Sequence, residues 1–338
     1  MRPARPDARM ESRFQPVLLG TGAAAPDRTV PSSELDRTLD LPEGEVARRS
    51  GVVSRRWCDR LDQMDLAAMA SHAALADAGI EADRLDAILH AAAVPYQAIP
   101  ATAPLVQRAL GVPDGALAAF DINASCLGFL AALQLTAAMI EAGRWTRVLI
   151  VSAERASRGL DWSDPATAGL FGDGAGAAVI GRGQGPRWHI AQESHPSGYD
   201  ASRLVAGGTR LDHDADPAAF EAHRRFAMDG PALFGLTRRR FGTFVDGILA
   251  AAGWRMADVD AVVPHQASPR AMAHLSRALA IPQGRLVDIA ADHGNQIAAS
   301  LPVALDRARR DGRAGPGARV LLLGTAAGVS FGAAALQL

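Results

Sequence analysis

Lysine is missing from the chain: all 35 basic residues are arginine. This excludes a Schiff-base lysine, covalent attachment of pyridoxal phosphate and the lysine of a phosphate-binding P-loop. Cysteine is scarce, with only Cys58 and Cys126 in 338 residues. Two thiols do not make a disulfide framework, so a reducing, cytoplasmic setting is expected. Charge of one sign is also lacking. The 35 basic and 36 acidic residues leave a formal net charge of −1, so no bulk field favours nucleic acid or a membrane surface. The longest strongly apolar helical stretch, residues 127–140, is too short to span a bilayer and is interrupted by Gly128 and Gln134. The opening "MRPARPDARMESRFQP" has no apolar core of a secretory signal and reads as a loose tail over its first 15 residues. The acidic "RLDHDADP" fits no metal-ligand spacing, so a solvated loop and no metal are expected there.

Nearly half the residues, 49%, are hydrophobic, which suits a soluble globular protein with a large core. The chain also repeats itself. "ALADAGIEADRLDAILHAAAVP", "ALGVP", "FDINASC" and "WTRVLIVSAE" are followed, in the same order, by "ILAAAGWRMADVDAVVPHQASP", "ALAIP", "VDIAADHGN" and "GARVLLLGTA". Gly79 and Gly253, Pro113 and Pro282, Asp121 and Asp288, and Arg147 and Arg319 mark equivalent places. Each unit reads as helix, buried strand, helix, short strand, helix, buried strand, which predicts a duplicated α/β fold with mostly parallel sheets. The halves are drawn at residues 16–185 and 226–338. The Gly/Pro/Asp-rich stretch between them, 186–225, reads as a loop or lid insertion.

Cys126 follows "FDINAS" and precedes "LGFLAALQLTAAMIEAG", an apolar helix that ends at Gly143. A thiol at a helix N-terminus is expected to ionise more readily. By residue type alone, an inert buried cysteine is the commoner case. The repeat supplies partners. His265 in "VVPHQASPR" follows a buried strand, and Asn295 in "DIAADHGNQIAAS" stands at the turn equivalent to that of Cys126. Sites in α/β proteins form at such strand ends. The Gly-rich "FGDGAGAAVIG" and "GTAAGVSFGAAAL" match no nucleotide-binding pattern and read as close backbone packing, one of them able to offer N–H donors to an oxyanion. Cys58 reads as structural.

With these residues in place, the chain resembles the thiolase-fold condensing enzymes, most closely β-ketoacyl-acyl-carrier-protein synthase III. "NASCLGF", "FGDGAGAAV", "VPHQAS", "DHGNQIAASLPVAL" and the terminal "SFGAAAL" carry the resemblance. It implies a thiolase-like duplicated βαβαβαβ unit, five-layered α-β-α-β-α, working as a homodimer. Cys126 would take an acyl group from a thioester. His265 and Asn295 would stabilise the enolate of a decarboxylating malonyl thioester, and the N–H groups of Cys126 and Ala327 would form an oxyanion hole. Ile99, Leu127 and Phe171 would line the acyl pocket, with Ile99 reaching across the dimer. Arg49, Arg270 and Arg277 would bind the thioester arm or the acyl carrier protein. The partners are acyl and malonyl thioesters, and no cofactor is called for.

The chain departs from the family at three places. The tryptophan and arginine that clamp adenine in short acyl-CoA users are replaced by Glu45 and Pro165, so a carrier-protein donor, or a CoA ester bound in another way, is expected. Ile99 stands where the family often has phenylalanine, which implies room for a medium or branched acyl chain. Transfer of the acyl group to an alcohol or amine without condensation is the alternative.

Overall fold

The computed structural model describes residues 14–338. The first half runs from β1 (Gln15–Ala24) to β7 (Gly174–Gly183). After β1, the hairpin strands β2 (Arg28–Pro31) and β3 (Ser54–Trp57) enclose α1 (Ser32–Thr38) and α2 (Glu45–Ser50). Then come α3 (Gln63–Ala78), β4 (Ala87–His90), α4 (Ala103–Ala109) and β5 (Ala118–Asp121). The half closes with α5 (Gly128–Glu141), β6 (Arg147–Glu154), α6 (Pro165–Ala168) and β7.

The second half begins at β8 (His189–Ser194). A minor pair, β9 (Ser202–Arg203) and β10 (Ala227–Met228), flanks α7 (Pro217–His223). There follow α8 (Gly230–Ala252), β11 (Ala261–Pro264), α9 (Pro269–Ala278) and α10 (Ala290–His293). Last are α11 (Ser300–Arg310), β12 (Arg319–Ala326) and β13 (Ser330–Gln337).

The first sheet has the order β1-β7-β6-β4-β5 and the second β8-β13-β12-β11. Pairing senses match strand for strand: antiparallel, antiparallel, then parallel in both. Among the described residues the fifth place of the second sheet holds no strand. A single parallel bridge, Val262 to Leu286, stands where β5 stands in the first. The side chain of Gln266 occupies the backbone beyond it, donating to the Val287 carbonyl and accepting from Ile289 N–H, so the expected short strand stops there.

Small devices repeat with the sheets. Gly79 and Gly253 end α3 and α8 at φ +64° and +69°, the left-handed cap that glycine takes without steric cost. Arg147 N–H donates to the carboxylate of Asp86, and Arg319 N–H to that of Asp260.

Alternate residues of each central strand face opposite cores. Leu89, Val148, Ile150, Val263, Val320 and Leu322 meet α5 and α11 between the two sheets. Ile88, Leu149 and Val151 face α3 and α4 on one outer side, and Val262, Leu321 and Leu323 face α8 on the other. The result is the five-layered α-β-α-β-α arrangement. It explains why the strands read as continuous apolar runs, since both faces of each sheet are covered.

Two expectations change. Residues 189–194 are not loop: "HIAQES" pairs along β13 as the edge strand of the second sheet, in the place β1 holds in the first. The tail stops short of residue 15, because Gln15 opens β1 and the Phe14 ring lies under the guanidinium of Arg182 at 4.3 Å. The rest of that tail lies outside the described residues. Among the described residues no helix is long and apolar enough to cross a membrane, and no cluster of His, Cys, Asp or Glu has the makings of a metal site.

Candidate active site

Cys126 stands two residues before α5, whose N-cap is Leu127. Ser125, just before it, holds φ at +50°, a left-handed conformation uncommon outside glycine. Asn123 supports this bend by accepting Ser125 N–H at 2.9 Å.

The thiol differs from the helix-end expectation. Burial, with the nearby Glu154 carboxyl adding to it, pushes the Cys126 thiol up to about 12, although the N–H groups of Ala327 and Cys126 itself act the other way. Desolvation in the packed interior outweighs the helix end. At neutral pH Cys126 is therefore a thiol. The N–H groups of Ala327 and of Cys126 itself both act on the sulfur.

His265 follows β11, with its N–H on the Leu323 carbonyl at 2.8 Å. It is only 5% exposed. Burial lowers its pKa to about 4, against a partial opposing contact with the Ile297 backbone, so the ring is neutral at physiological pH. Its Nδ1 lies 2.7 Å from Ser300 Oγ. That hydroxyl also lies 2.8 Å from the Ile297 carbonyl and accepts from Gln266 N–H at 3.3 Å.

Asn295 is held by two bonds. Its Oδ1 accepts Ile297 N–H at 2.8 Å, and its Nδ2 donates to the Ala267 carbonyl at 3.3 Å. Ile297 holds φ at +52°, which is costly for a β-branched residue, on the order of 1–3 kcal/mol.

The segments that carry these groups pack together at the seam between the halves. A Cβ on Gly324 would touch the Cβ of His265 and the Leu127 side chain, so β12 brings His265 against the Cys126 turn only because this residue is glycine. Gly332 does the same in β13, lying against Leu127 and Leu130. Along "FGDGAG", Gly172, Gly174 and Gly176 let the backbone at His293, the Gln296 side chain and the start of α11 lie against the first half. Leu127 is fully buried. Phe171 bridges Asn295 through the backbone, accepts the Trp57 indole N–H at 3.3 Å and meets the Phe226 ring edge-on. Through Phe226 the start of the second half, just past residue 225, reaches Phe171.

Ile99 is not part of this cluster. It is 87% exposed in the single chain, in a loop with exposed Val94 and Tyr96. Arg49 is tied to Glu45, which also binds Arg48. Arg270 donates to the Arg48 carbonyl at 2.8 Å, while Arg277 lies exposed at the end of α9. Cys58 is half-buried and its thiol is also pushed up to about 12, by burial first and then by Asp173. Sequence reasoning passed over Ser300, Asn123 and Glu154. Only Glu154 left a signal, as an acid closing the apolar run "VLIVSAE".

Residues 120–197 match the family model of 3-oxoacyl-[acyl-carrier-protein] synthase III, and residues 249–338 match the model of its C-terminal part. A β-ketoacyl-[acyl-carrier-protein] synthase III of Streptomyces coelicolor is 39% identical over 325 residues, covering 95% of this chain and 96% of that one. One from Bordetella petrii is 38% identical over 322 residues, covering 94% and 96%. The crystal structure of 3-oxoacyl-(acyl carrier protein) synthase III from Pseudomonas aeruginosa superposes with a TM-score of 0.85 at 34% identity, covering 96% of this chain and 98% of that one. The priming β-ketosynthase of a polyketide biosynthetic pathway superposes at 0.89 with 30% identity, covering 98% and 99%. At this identity over nearly the full length of both chains, and with the same fold, the chain belongs to the β-ketoacyl-acyl-carrier-protein synthase III family.

Proposed function

We propose that the protein catalyses decarboxylative Claisen condensation of a Cys126-bound acyl group with a malonyl thioester on acyl carrier protein. What supports this reading is the packing, at one seam, of the segment with a buried thiol from the first half against those with a neutral imidazole and an amide from the second. Cys126 Sγ attacks the acyl thioester carbonyl, its proton leaves with the departing thiol, and an S-acyl enzyme forms. At a pKa near 12, roughly one thiol in 10⁵ is ionised at pH 7. Attack therefore depends on the N–H groups of Cys126 and Ala327, which favour negative charge at the sulfur and at the tetrahedral oxygen.

The malonyl C–CO₂ bond then breaks and leaves an enolate. His265 and Asn295 donate hydrogen bonds to its oxygen. For His265 to donate through Nε2, the Ser300 hydroxyl gives its proton to Nδ1 rather than to the Ile297 carbonyl, which fixes the tautomer. The enolate carbon attacks the acyl carbonyl, the Cys126 thiolate leaves, and a β-ketoacyl thioester is released. This chemistry calls for no resident cofactor. The relatives are named as β-ketoacyl-[acyl-carrier-protein] synthases, and no observation favours acyl transfer to an alcohol or amine.

The acyl donor in this reading is a carrier-protein thioester. Glu45 stands where short acyl-CoA users of the family place a stacking tryptophan, and its carboxylate already occupies Arg48 and Arg49. Exposed Arg270 and Arg277 continue the basic rim toward an acidic partner. The working form is a homodimer. The outer edge of β5 carries no strand among the described residues, and the exposed loop with Val94, Tyr96 and Ile99 supplies an apolar surface for a second copy. Ile99 would then complete the partner's acyl pocket, where it leaves room for a medium or branched chain.

Mass spectrometry of Cys126 after incubation with a panel of acyl-CoA and acyl-carrier-protein thioesters tests donor and chain length together. Medium or branched chains delivered by carrier protein should label Cys126. Rapid labelling by acetyl-CoA at micromolar concentration would contradict both assignments.

A further inference from the structure

Glu154 ends β6, and its cross-strand partner in β7 is Gly174. Directly opposed residues project to the same face of a sheet. A Cβ on Gly174 would run into the side-chain amide of Gln296, so that amide lies over Gly174 on the face that Glu154 shares. Both side chains are out of water, with Glu154 fully buried and Gln296 3% exposed.

Their hydrogen bonds are incomplete in a matching way. Gln296 Nε2 donates to the Asp173 carbonyl at 3.0 Å, which fixes the amide orientation and leaves Oε1 unpartnered. Glu154 Oε1 accepts Ala93 N–H at 2.6 Å, and Oε2 is unpartnered. Two buried acceptors on one face without a donor are a costly arrangement. A carboxylate has no proton to resolve it, whereas a carboxylic acid has one.

We propose that Glu154 is a positioning residue, held as the neutral acid, whose Oε2–H donates to Gln296 Oε1 and so latches β6 to the segment carrying Asn295. This rests on the condensation reading for its consequence, the placement of Asn295, but the latch itself does not. Burial raises the Glu154 pKa to about 8 despite N–H groups of Ala93, Val94 and Ala298 that favour its charged form. The other ionisable groups that bear on it are Asp173, whose charge opposes its ionisation, and Cys126, whose thiol it pushes up. The latch spans both halves of the site. Ala93 opens the loop that carries Ile99, and Ala298 lies in the turn after Asn295.

Infrared difference spectroscopy of wild type minus Glu154→Gln at pH 7 reads the latch directly, without substrate. A protonated-carboxyl band that fades as pH rises through about 8 is expected. A carboxylate band alone at pH 7 would overturn the proposal. In the second arm, carbon dioxide release from malonyl-carrier protein is followed against pH. Glu154→Gln keeps an N–H donor for Gln296 Oε1, so it should hold wild-type activity within about two-fold at pH 7. It should also lose the wild-type decline above pH 8, while Glu154→Leu drops at least roughly ten-fold. Superimposable profiles for wild type and Glu154→Gln would contradict the latch. If the wild type itself released no carbon dioxide, the condensation reading would fail while the infrared band still decided Glu154.

Discussion

At the turn before α5, Asn123 accepts the N–H of Ser125, at φ +50°. At the turn before α11, Asn295 accepts the N–H of Ile297, at φ +52°. Asn123 Nδ2 donates to the Ala93 carbonyl at 3.0 Å, and Asn295 Nδ2 to the Ala267 carbonyl at 3.3 Å. Ala93 and Ala267 each lie three residues beyond an equivalent strand, β4 or β11. The two turns are one device, made twice.

The halves differ in what the device carries. Three residues past Asn123 stands Cys126, while three past Asn295 stands Ala298. One residue past β11 stands His265, while one past β4 stands Ala91. Asn123 is exposed, whereas Asn295 is 7% exposed. An asparagine that makes this turn is therefore a feature of the fold. In the proposed reaction, chemistry resides where the duplication is broken, with the nucleophile in one half and the buried donor pair in the other.

That contrast can be tested by treating the two asparagines alike. Asn295→Ala removes both a turn bond and the proposed enolate donor, and condensation should fall by roughly 10²–10³-fold. Asn123→Ala removes the turn bond only. It should cost about 1 kcal/mol of stability by denaturant unfolding and leave condensation within about ten-fold. Equal kinetic losses would show that the halves are not specialised as described.

His265 gives the second test, because Ala91 is its counterpart. Its folded-state pKa, about 4, lies below the ordinary 6.5, so the unfolded chain binds more protons between those values. Its contribution to stability is fully present above pH 6.5 and is lost as pH falls toward 4, by roughly 3 kcal/mol. Acid unfolding of His265→Gln should lack that part of the decline. An unchanged acid profile would mean that the imidazole is not buried neutral.

Smaller effects should follow at the support residues. Ser300→Ala leaves the His265 tautomer unfixed and should slow decarboxylation by roughly five-fold, with Ser300→Thr restoring it. Arg270→Glu should raise the KM for malonyl-carrier protein a few-fold, less so at high salt, and leave kcat nearly unchanged.

Much of the fold was legible because both sheets are covered on both faces. "AILH" and "RVLIVS" therefore read as buried strands between amphipathic helices, and the echo between the halves predicted the seam. "HIAQES" was not legible, since an edge strand half in water lacks that apolar run. The Cys126 turn, His265 and Asn295 could be picked out as strand-end polar residues. The direction of the Cys126 pKa could not, because it depends on burial and on Glu154, which lies 28 positions away in sequence. Ile99, read as a pocket residue, stands instead in an exposed loop apart from that cluster. The left-handed Ser125 and Ile297 were invisible for a different reason: neither is a residue that favours that conformation, and only the surrounding packing imposes it.

The division of labour between the halves is tested most directly by one paired measurement. Cys126→Ala and Asn295→Ala proteins are each given acyl-carrier protein and malonyl-carrier protein, and S-acylation and carbon dioxide release are followed together. The account predicts carbon dioxide without an acyl adduct from Cys126→Ala, and an acyl adduct on Cys126 with carbon dioxide release lowered by roughly 10²–10³-fold from Asn295→Ala. An acyl adduct formed on another residue, or undiminished carbon dioxide release by Asn295→Ala, would contradict it.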